Sequence, residues 1–485
     1  LQESGFAGSQ SLRFRRSFWG VPSAGFYDSM GVSREVSMRP KQTRQSGSDD
    51  LFRSRLDQII NMNNELVRLA RTIDWPWIDA ELVDRFSDKG RPATETRFMV
   101  GLMILKHMFA LSDEGVCERW VYDPYFQYFT GEEFFQHAFP HERSGLTHWR
   151  GRIGDKLELL LQESLRGASD TGALKMSDLA RVTVDTTVQP KNVTHPTDAK
   201  LMVKAIEQLG VLAKRHGVEL RQSYARVAKR AALMAGRYIH AKQFRRAKRE
   251  LRFLRARLGR LSRDIARKTR GDAALRAIFA APLRKAHQIQ WQRQQERGQK
   301  LYSWHAPETE CIGKGKAHKP YEFGCKVSVT TTNRRSPGGQ FVLHAKALPG
   351  NPYDGHTLAE VIAQTEALTG RTIERAYVDK GYRGHSVANP RRVFISGQKR
   401  GVHGVIQREL RRRSAIEPVI GHMKTDGHLG RNFLKGYAGD HANALLTAVG
   451  HNFRLILAWL RLLLRLILVI TAQRLTPSPT LGIAS

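Results

Sequence analysis

Residues 181–189, RVTVDTTVQ, set a single carboxylate in the middle of a run of valines and threonines. β-Branched residues on both sides of Asp185 favour a strand. A carboxylate among them is costly if buried unpaired, so Asp185 calls for a metal ion, a cation or a place at a sheet edge. Taken alone, the segment is also satisfied by an exposed strand aspartate.

Working outward toward the C-terminus, the period-two pattern returns after residue 300. Phe323, Cys325, Val327 and Val329 alternate along one expected strand and Phe341, Leu343 and Ala345 along the next, with Arg334–Gly339 as the turn between them. Residues 356–369 read as a helix. Ile373–Asp379 reads as a strand running into Asp379-Lys380-Gly381-Tyr382, and residues 392–396, RVFIS, as another short strand. The stretch 411–436, RRRSAIEPVIGHMKTDGHLGRNFLKG, then carries Arg413, Glu417 and Lys424 at helical offsets of 4 and 7, which sets all three on nearly one face. Ser414 and Glu417 also fit a Ser-x-x-Glu capping box, a purely structural use of the glutamate.

The charge balance narrows the partners. With 79 Lys+Arg against 45 Asp+Glu, the 485-residue chain has a formal net charge of +34. Such a charge fits work on a polyanion, nucleic acid above all. Three cysteines exclude a disulfide framework and fit a reducing compartment. His305, Cys311, His318 and Cys325 are spaced by six and seven residues without a Cys-x-x-Cys knuckle, so zinc is not expected.

Toward the N-terminus, residues 50–72 and Thr94–Leu111 have helical apolar spacing and precede an aromatic block, Trp120, Tyr122, Tyr125, Phe126, Tyr128 and Phe129, read as core rather than as base-stacking platforms. Between the Asp185 strand and residue 300 the chain turns helical and heavily basic. Phe244, Ala247, Leu251, Leu254, Leu258, Leu261 and Ile265 alternate gaps of 3 and 4, a coiled-coil seam expected to pair with residues 201–238 as a hairpin. Its charges are nearly all of one sign, which favours phosphate contact over a merely solvated face. Near the end, residues 440–471 are apolar but carry Arg454, Arg461 and Arg465 on one stripe, so a packed helix is expected rather than a membrane span.

The expected organisation has five parts. Residues 1–46 are read as a disordered leader, with Met38 a plausible native start, and 473–485 as a loose tail. Residues 47–160 form a helical DNA-binding domain, 175–199 with 300–472 the catalytic domain, and 200–299 a basic helical insertion. The fold class is mixed α/β (α+β). Strand with Asp185, hairpin, helix, strand ending in Asp379, strand, helix with Glu417: this is the element order of a ribonuclease H-like core, a mixed sheet with flanking helices. There, three carboxylates would bring about −3 of charge, and two Mg²⁺ ions would exceed it and attract phosphate.

Several stretches, DDLFRSRLDQIINM, LSDEGVCERWVYDPYFQYFTGEEFFQH, RVTVDTTVQPK, AYVDKGYRGH and RRRSAIEPVIGHMK, resemble the DDE transposases of bacterial insertion sequences, in particular the insertion-sequence-five family. The resemblance implies that Asp185, Asp379 and Glu417 are the catalytic acids and hold two Mg²⁺ ions, with Mn²⁺ as a substitute. It matches Arg413, Glu417 and Lys424 to a Tyr-Arg-Glu-Lys signature whose tyrosine position is Leu410 here. Arg413 and Lys424 are then expected to contact phosphates beside the scissile bond. Lys380 and Arg383 are expected to hold the strand or orient Asp379, with plain salt bridging equally compatible, and His385 and His422 are weaker candidates. The implied activity is binding the element's terminal inverted repeats, nicking them, and joining the exposed 3′-hydroxyls to target DNA, as at least a dimer, in the bacterial cytoplasm at the nucleoid. The rival readings are an inactive or co-opted DNA-binding derivative, a junction resolvase, and an RNA-binding basic protein.

Overall fold

In the computed structural model, residues 54–86, 94–293, 295–296, 298–313, 320–389 and 392–475 are described, with side chains described up to residue 469. The expected leader, most of the expected tail, Met38 and His318 lie outside them.

Among the described residues eight α-helices come first: α1 Leu56–Ile59, α2 Glu65–Thr72, α3 Trp75–Leu82, α4 Thr96–Met108, α5 Asp113–Tyr122, α6 Pro124–Phe129, α7 Gly145–Ile153 and α8 Glu158–Asp170. The single helix expected over 50–72 is broken, because Asn64 turns out of the helix and caps α2, its side chain accepting the Leu66 N–H at 2.8 Å. Trp120, Phe126 and Phe129 are fully buried, as the core reading requires, while Tyr122 stays 82% exposed.

The sheet follows. Strand β1 is Arg181–Pro190, β2 Glu310–Gly313, β3 Tyr321–Thr332, β4 Val342–Leu348, β5 Arg375–Val378 and β6 Val393–Ile395. The order is β2-β3-β1-β5-β6, with β4 also paired to β3. Strands β1 to β4 pair antiparallel, whereas β5 joins β1 and β6 joins β5 in parallel. Helix α13, Asp354–Thr369, makes the crossover into the parallel part, as a parallel connection demands. Helices α14, Gly404–Arg411, α15, Ile416–Thr425, and α16, Gly436–Leu475, complete the chain.

Between β1 and β2 stand α9 Asp198–Arg215, α10 Ala225–His240, α11 Phe244–Lys268 and α12 Ala273–Trp291, with an apolar core of their own. The expected seam points inward: Ala247, Leu254, Leu258, Leu261 and Ile265 are buried, with Phe244, 57% exposed, left outside. It closes within the chain against α9, α10 and α12 rather than in a simple two-helix hairpin.

The N-terminal helices share one continuous apolar cluster with the sheet and α16. The arginine stripe of α16 serves that docking. Arg454 Nη1 donates to the carbonyls of His107 and Asp426, both at 2.8 Å, and Arg461 pairs with Glu65 at 2.6 Å. Among the described residues no helix is long and apolar enough to cross a membrane.

Candidate active site

The parallel register pairs Thr183 of β1 with Tyr377 of β5, so two residues further on Asp185 stands level with Asp379. Asp379 follows the last residue of β5 and caps a 3₁₀ turn over Lys380–Tyr382, accepting the Gly381 N–H at 2.8 Å. A Cβ on Gly381 would lie 3.0 Å from the Asp379 carboxylate, a tight approach in this turn. Helix α15 packs on β1, and Glu417 occupies its first turn.

Arg413 joins the acids. Its guanidinium is 3.5 Å from Asp185 and 3.3 Å from Glu417. The Asp185 side chain is 17% exposed, Arg413 16% and Glu417 64%, so the strand acid is sunk and the helix acid sits at the mouth. Burial pushes the Asp185 carboxyl up to about 6; the Thr186 N–H at 2.8 Å and Arg413 resist this, while Asp379 and Glu417 add to it. Strand, sheet end and helix thus bring the three predicted acids into one electrostatic neighbourhood.

The capping box is not formed. Residues 412–415 make a 3₁₀ turn between α14 and α15, Ala415 holds the cap position, and the Ser414 hydroxyl donates to the Arg411 carbonyl at 3.4 Å. A chain arriving already helical leaves no free N-terminal turn for Ser414 to cap. Leu410, at the signature's tyrosine position, packs beside Tyr377, Phe394 and Val402. Lys424 is half-buried on α15, Lys380 and Arg383 are exposed, and His422 pairs with Asp426 at 2.7 Å.

The all-oxygen donor set of Asp185, Asp379 and Glu417 suits a hard divalent cation. Nearby, the Tyr382 hydroxyl is buried without a hydrogen-bond partner, so the spot has room in its bonding for another polar group. As the side chains stand, no three His, Cys, Asp or Glu residues among those described are close enough together to hold an ion. Cys325, from the rejected zinc set, is a buried thiol pushed up to about 12 by burial.

Sequence reasoning missed Asp354, the first residue of α13, and Lys326 of β3, which pair at 3.1 Å beside Thr186. An aspartate opening a helix reads as an ordinary first-turn acid. Lys326 falls between the apolar positions of β3, where alternation could have assigned it to the other face.

Residues 54–152 match the family described as Transposase domain (DUF772). Over 208 residues the chain is 54% identical to "Uncharacterized protein ORF8 in nfe locus" of Rhizobium meliloti, a match spanning 43% of this chain and 100% of that protein. No solved structure matches the chain. With that identity over the relative's whole length, and with a transposase domain in its N-terminal helices, the chain belongs to the same family as the Rhizobium meliloti protein.

Proposed function

We propose that the chain is a DDE transposase of the insertion-sequence-five type, with a ribonuclease H-like core, acting on the double-stranded DNA of its own element's ends and of the target. The observation that carries this reading is the level placement of Asp185 and Asp379 on parallel neighbours, with Arg413 reaching both Asp185 and Glu417 at the start of the following helix. Four antiparallel strands extended by two parallel ones after a helical crossover support the core assignment.

Asp185, Asp379 and Glu417 would hold Mg²⁺, or Mn²⁺ in its place. The ions supply activation of the attacking water or 3′-hydroxyl and neutralisation of charge on the phosphate. Arg413 holds the Asp185 and Glu417 carboxylates in position and offers a bidentate donor to a phosphate oxygen when DNA arrives. Lys424, on α15 with Glu417, adds positive charge beside the scissile strand. The α11 arginines would carry flanking DNA, and the synapsis of two ends calls for at least a dimer, at the bacterial nucleoid.

The test is strand cleavage of a duplex carrying the element's inverted repeat, with Mg²⁺, for wild type and for Asp185→Ala, Asp379→Ala and Glu417→Ala. We expect activity to fall to background in each variant while duplex binding persists; equal cleavage by all four proteins would overturn the assignment. A second reading, a DNA-binding derivative without catalysis, is favoured by the outward placement of Glu417 and predicts binding without cleavage in wild type itself.

A further inference from the structure

Between α15 and α16 the chain presents a short segment that the three acids do not use. Residues 431–437, RNFLKGY, alternate in exposure: Arg431, Phe433, Lys435 and Tyr437 face solvent, while Asn432 is buried and Leu434 and Gly436 are partly covered. Phe433 is 61% and Tyr437 53% exposed. Either ring alone would be ordinary. Interleaved with two cations, and with no acidic residue from Gly427 to Gly439, the set mirrors the alternation of base and phosphate along a nucleic-acid strand. The Arg431 guanidinium lies 5.5 Å from the centroid of the Phe433 ring, and its Nε donates to Asn192 Oδ1 at 2.8 Å, which fixes the cation beside the ring.

The backbone beneath these side chains is tied down at both ends. Asn432 bridges to Lys191 just past the end of β1: its N–H donates to the Pro190 carbonyl and its carbonyl accepts the Asn192 N–H, both at 2.8 Å. Its side-chain amide donates to Asp440 Oδ1 at 2.7 Å, and the Gly436 N–H donates to Glu308 Oε1 at 2.6 Å. Lys191 Nζ neutralises both carboxylates, 2.7 Å from Asp440 and 2.9 Å from Glu308, and all three side chains are 7% exposed or less. Burying three charges is costly unless each is paired and hydrogen-bonded. Here the cluster holds the residues on either side of Phe433, Leu434 and Lys435, so the outward side chains stand on a fixed frame.

We propose that residues 431–437 are a stacking platform for unpaired nucleotides of DNA, with Phe433 and Tyr437 taking bases and Arg431 and Lys435 the phosphates between them. The proposal rests on the DNA-acting reading above and adds to it a contact outside the three acids. A duplex keeps its bases stacked on one another and would use only the two cations, whereas open rings serve a strand whose base faces are free. Lys191, which Asn432 bridges, is six residues beyond Asp185, so along β1 the platform stands roughly 20 Å from the acids. That places it to hold unpaired DNA continuing from the reacting end.

Binding of the full chain to a labelled oligothymidylate of about ten nucleotides, and to a duplex of the same length, is followed by fluorescence anisotropy. Wild type is compared with Phe433→Ala, Phe433→Leu, Phe433→Trp and Tyr437→Ala, with thermal unfolding recorded for each. We expect Phe433→Ala and Phe433→Leu to weaken single-strand binding by about tenfold, Phe433→Trp to keep it, and duplex affinity to change little throughout. The salt dependence of the remaining single-strand binding should match wild type, since no charge is removed. Full single-strand affinity in Phe433→Leu would mean that apolar bulk suffices, and overturns stacking. Equal losses on single strand and duplex would make the segment a general backbone contact, and overturn it too. Unchanged single-strand binding in every variant, or a wild type that binds only the duplex, overturns the platform and leaves the DNA-acting reading standing. A wild type that binds neither probe overturns both. Should the Phe433 variants unfold, Tyr437→Ala decides by the same criteria.

Discussion

Asp185 is a carboxyl group that burial and two neighbouring acids push toward its neutral form, while Arg413 and one backbone N–H hold it toward the charged form. The balance leaves it raised to about 6. A carboxyl whose folded value lies above its unfolded one binds protons more readily in the native state. Its contribution to stability is therefore full below the unfolded value, near 4, and is lost as the pH rises through about 6. Asp185→Asn removes the buried charge, and without divalent ions it should stabilise the protein at pH 7.5 by on the order of 1–2 kcal/mol. The gain should fade below about pH 4, where the wild-type group is neutral in both states. Melting temperatures across that range check this, and a gain independent of pH would assign it to packing instead. The residue's identity as a strand acid was legible from RVTVDTTVQ; its burial and its pairing with Arg413 were not, because they depend on a helix more than two hundred residues away.

Among elements, α16 decides how the N-terminal helices meet the sheet. Gly450 faces α4 so closely that a Cβ there would fall 2.5 Å from the His107 carbonyl oxygen and 2.6 Å from its carbon, both backbone atoms that cannot step aside alone. Gly450→Ala should therefore part the two helices and cost about 2 kcal/mol or more in urea denaturation. Gly421 on α15 is the contrast, with nothing within 4 Å of its would-be Cβ. Gly421→Ala should stabilise by about 0.5–1 kcal/mol through helix propensity alone. If both changes had the same sign, close packing would not be what Gly450 provides. The spacing of arginines on α16 showed from sequence that the helix packs. That its partners are Glu65 and the His107 and Asp426 carbonyls could be read only from the fold.

For the whole molecule, the +34 charge is concentrated where it has few internal partners. On α11, Arg245, Arg249, Arg252 and Arg260 are exposed, and none forms an ion pair with a carboxylate among the described residues. Replacing these four with glutamine should weaken duplex binding and flatten its salt dependence by about one unit of log–log slope for each phosphate contact removed. Fluorescence anisotropy between 50 and 200 mM salt, as a range over which such binding changes by roughly 10³–10⁵, reads this directly. An unchanged slope would take the insertion out of the DNA interface. The same substitutions should leave thermal stability nearly unchanged, since the seam residues beneath them carry the helical core.

The sequence by itself determined the mixed α/β class, the strand carrying Asp185, the strand running up to Asp379, the helix of Glu417, and a helical insertion with an apolar seam. Each of these is encoded by periodicity or composition over a dozen neighbouring residues, and local physics is enough to read them. Tertiary structure alone decided that Ser414 does not cap α15, that Arg413 bridges two acids, that the N-terminal helices share the sheet's core, and that Asp354 with Lys326 stands behind Gly381. These depend on register and on contacts between segments far apart in the chain, where a side chain's meaning comes from what the fold sets against it.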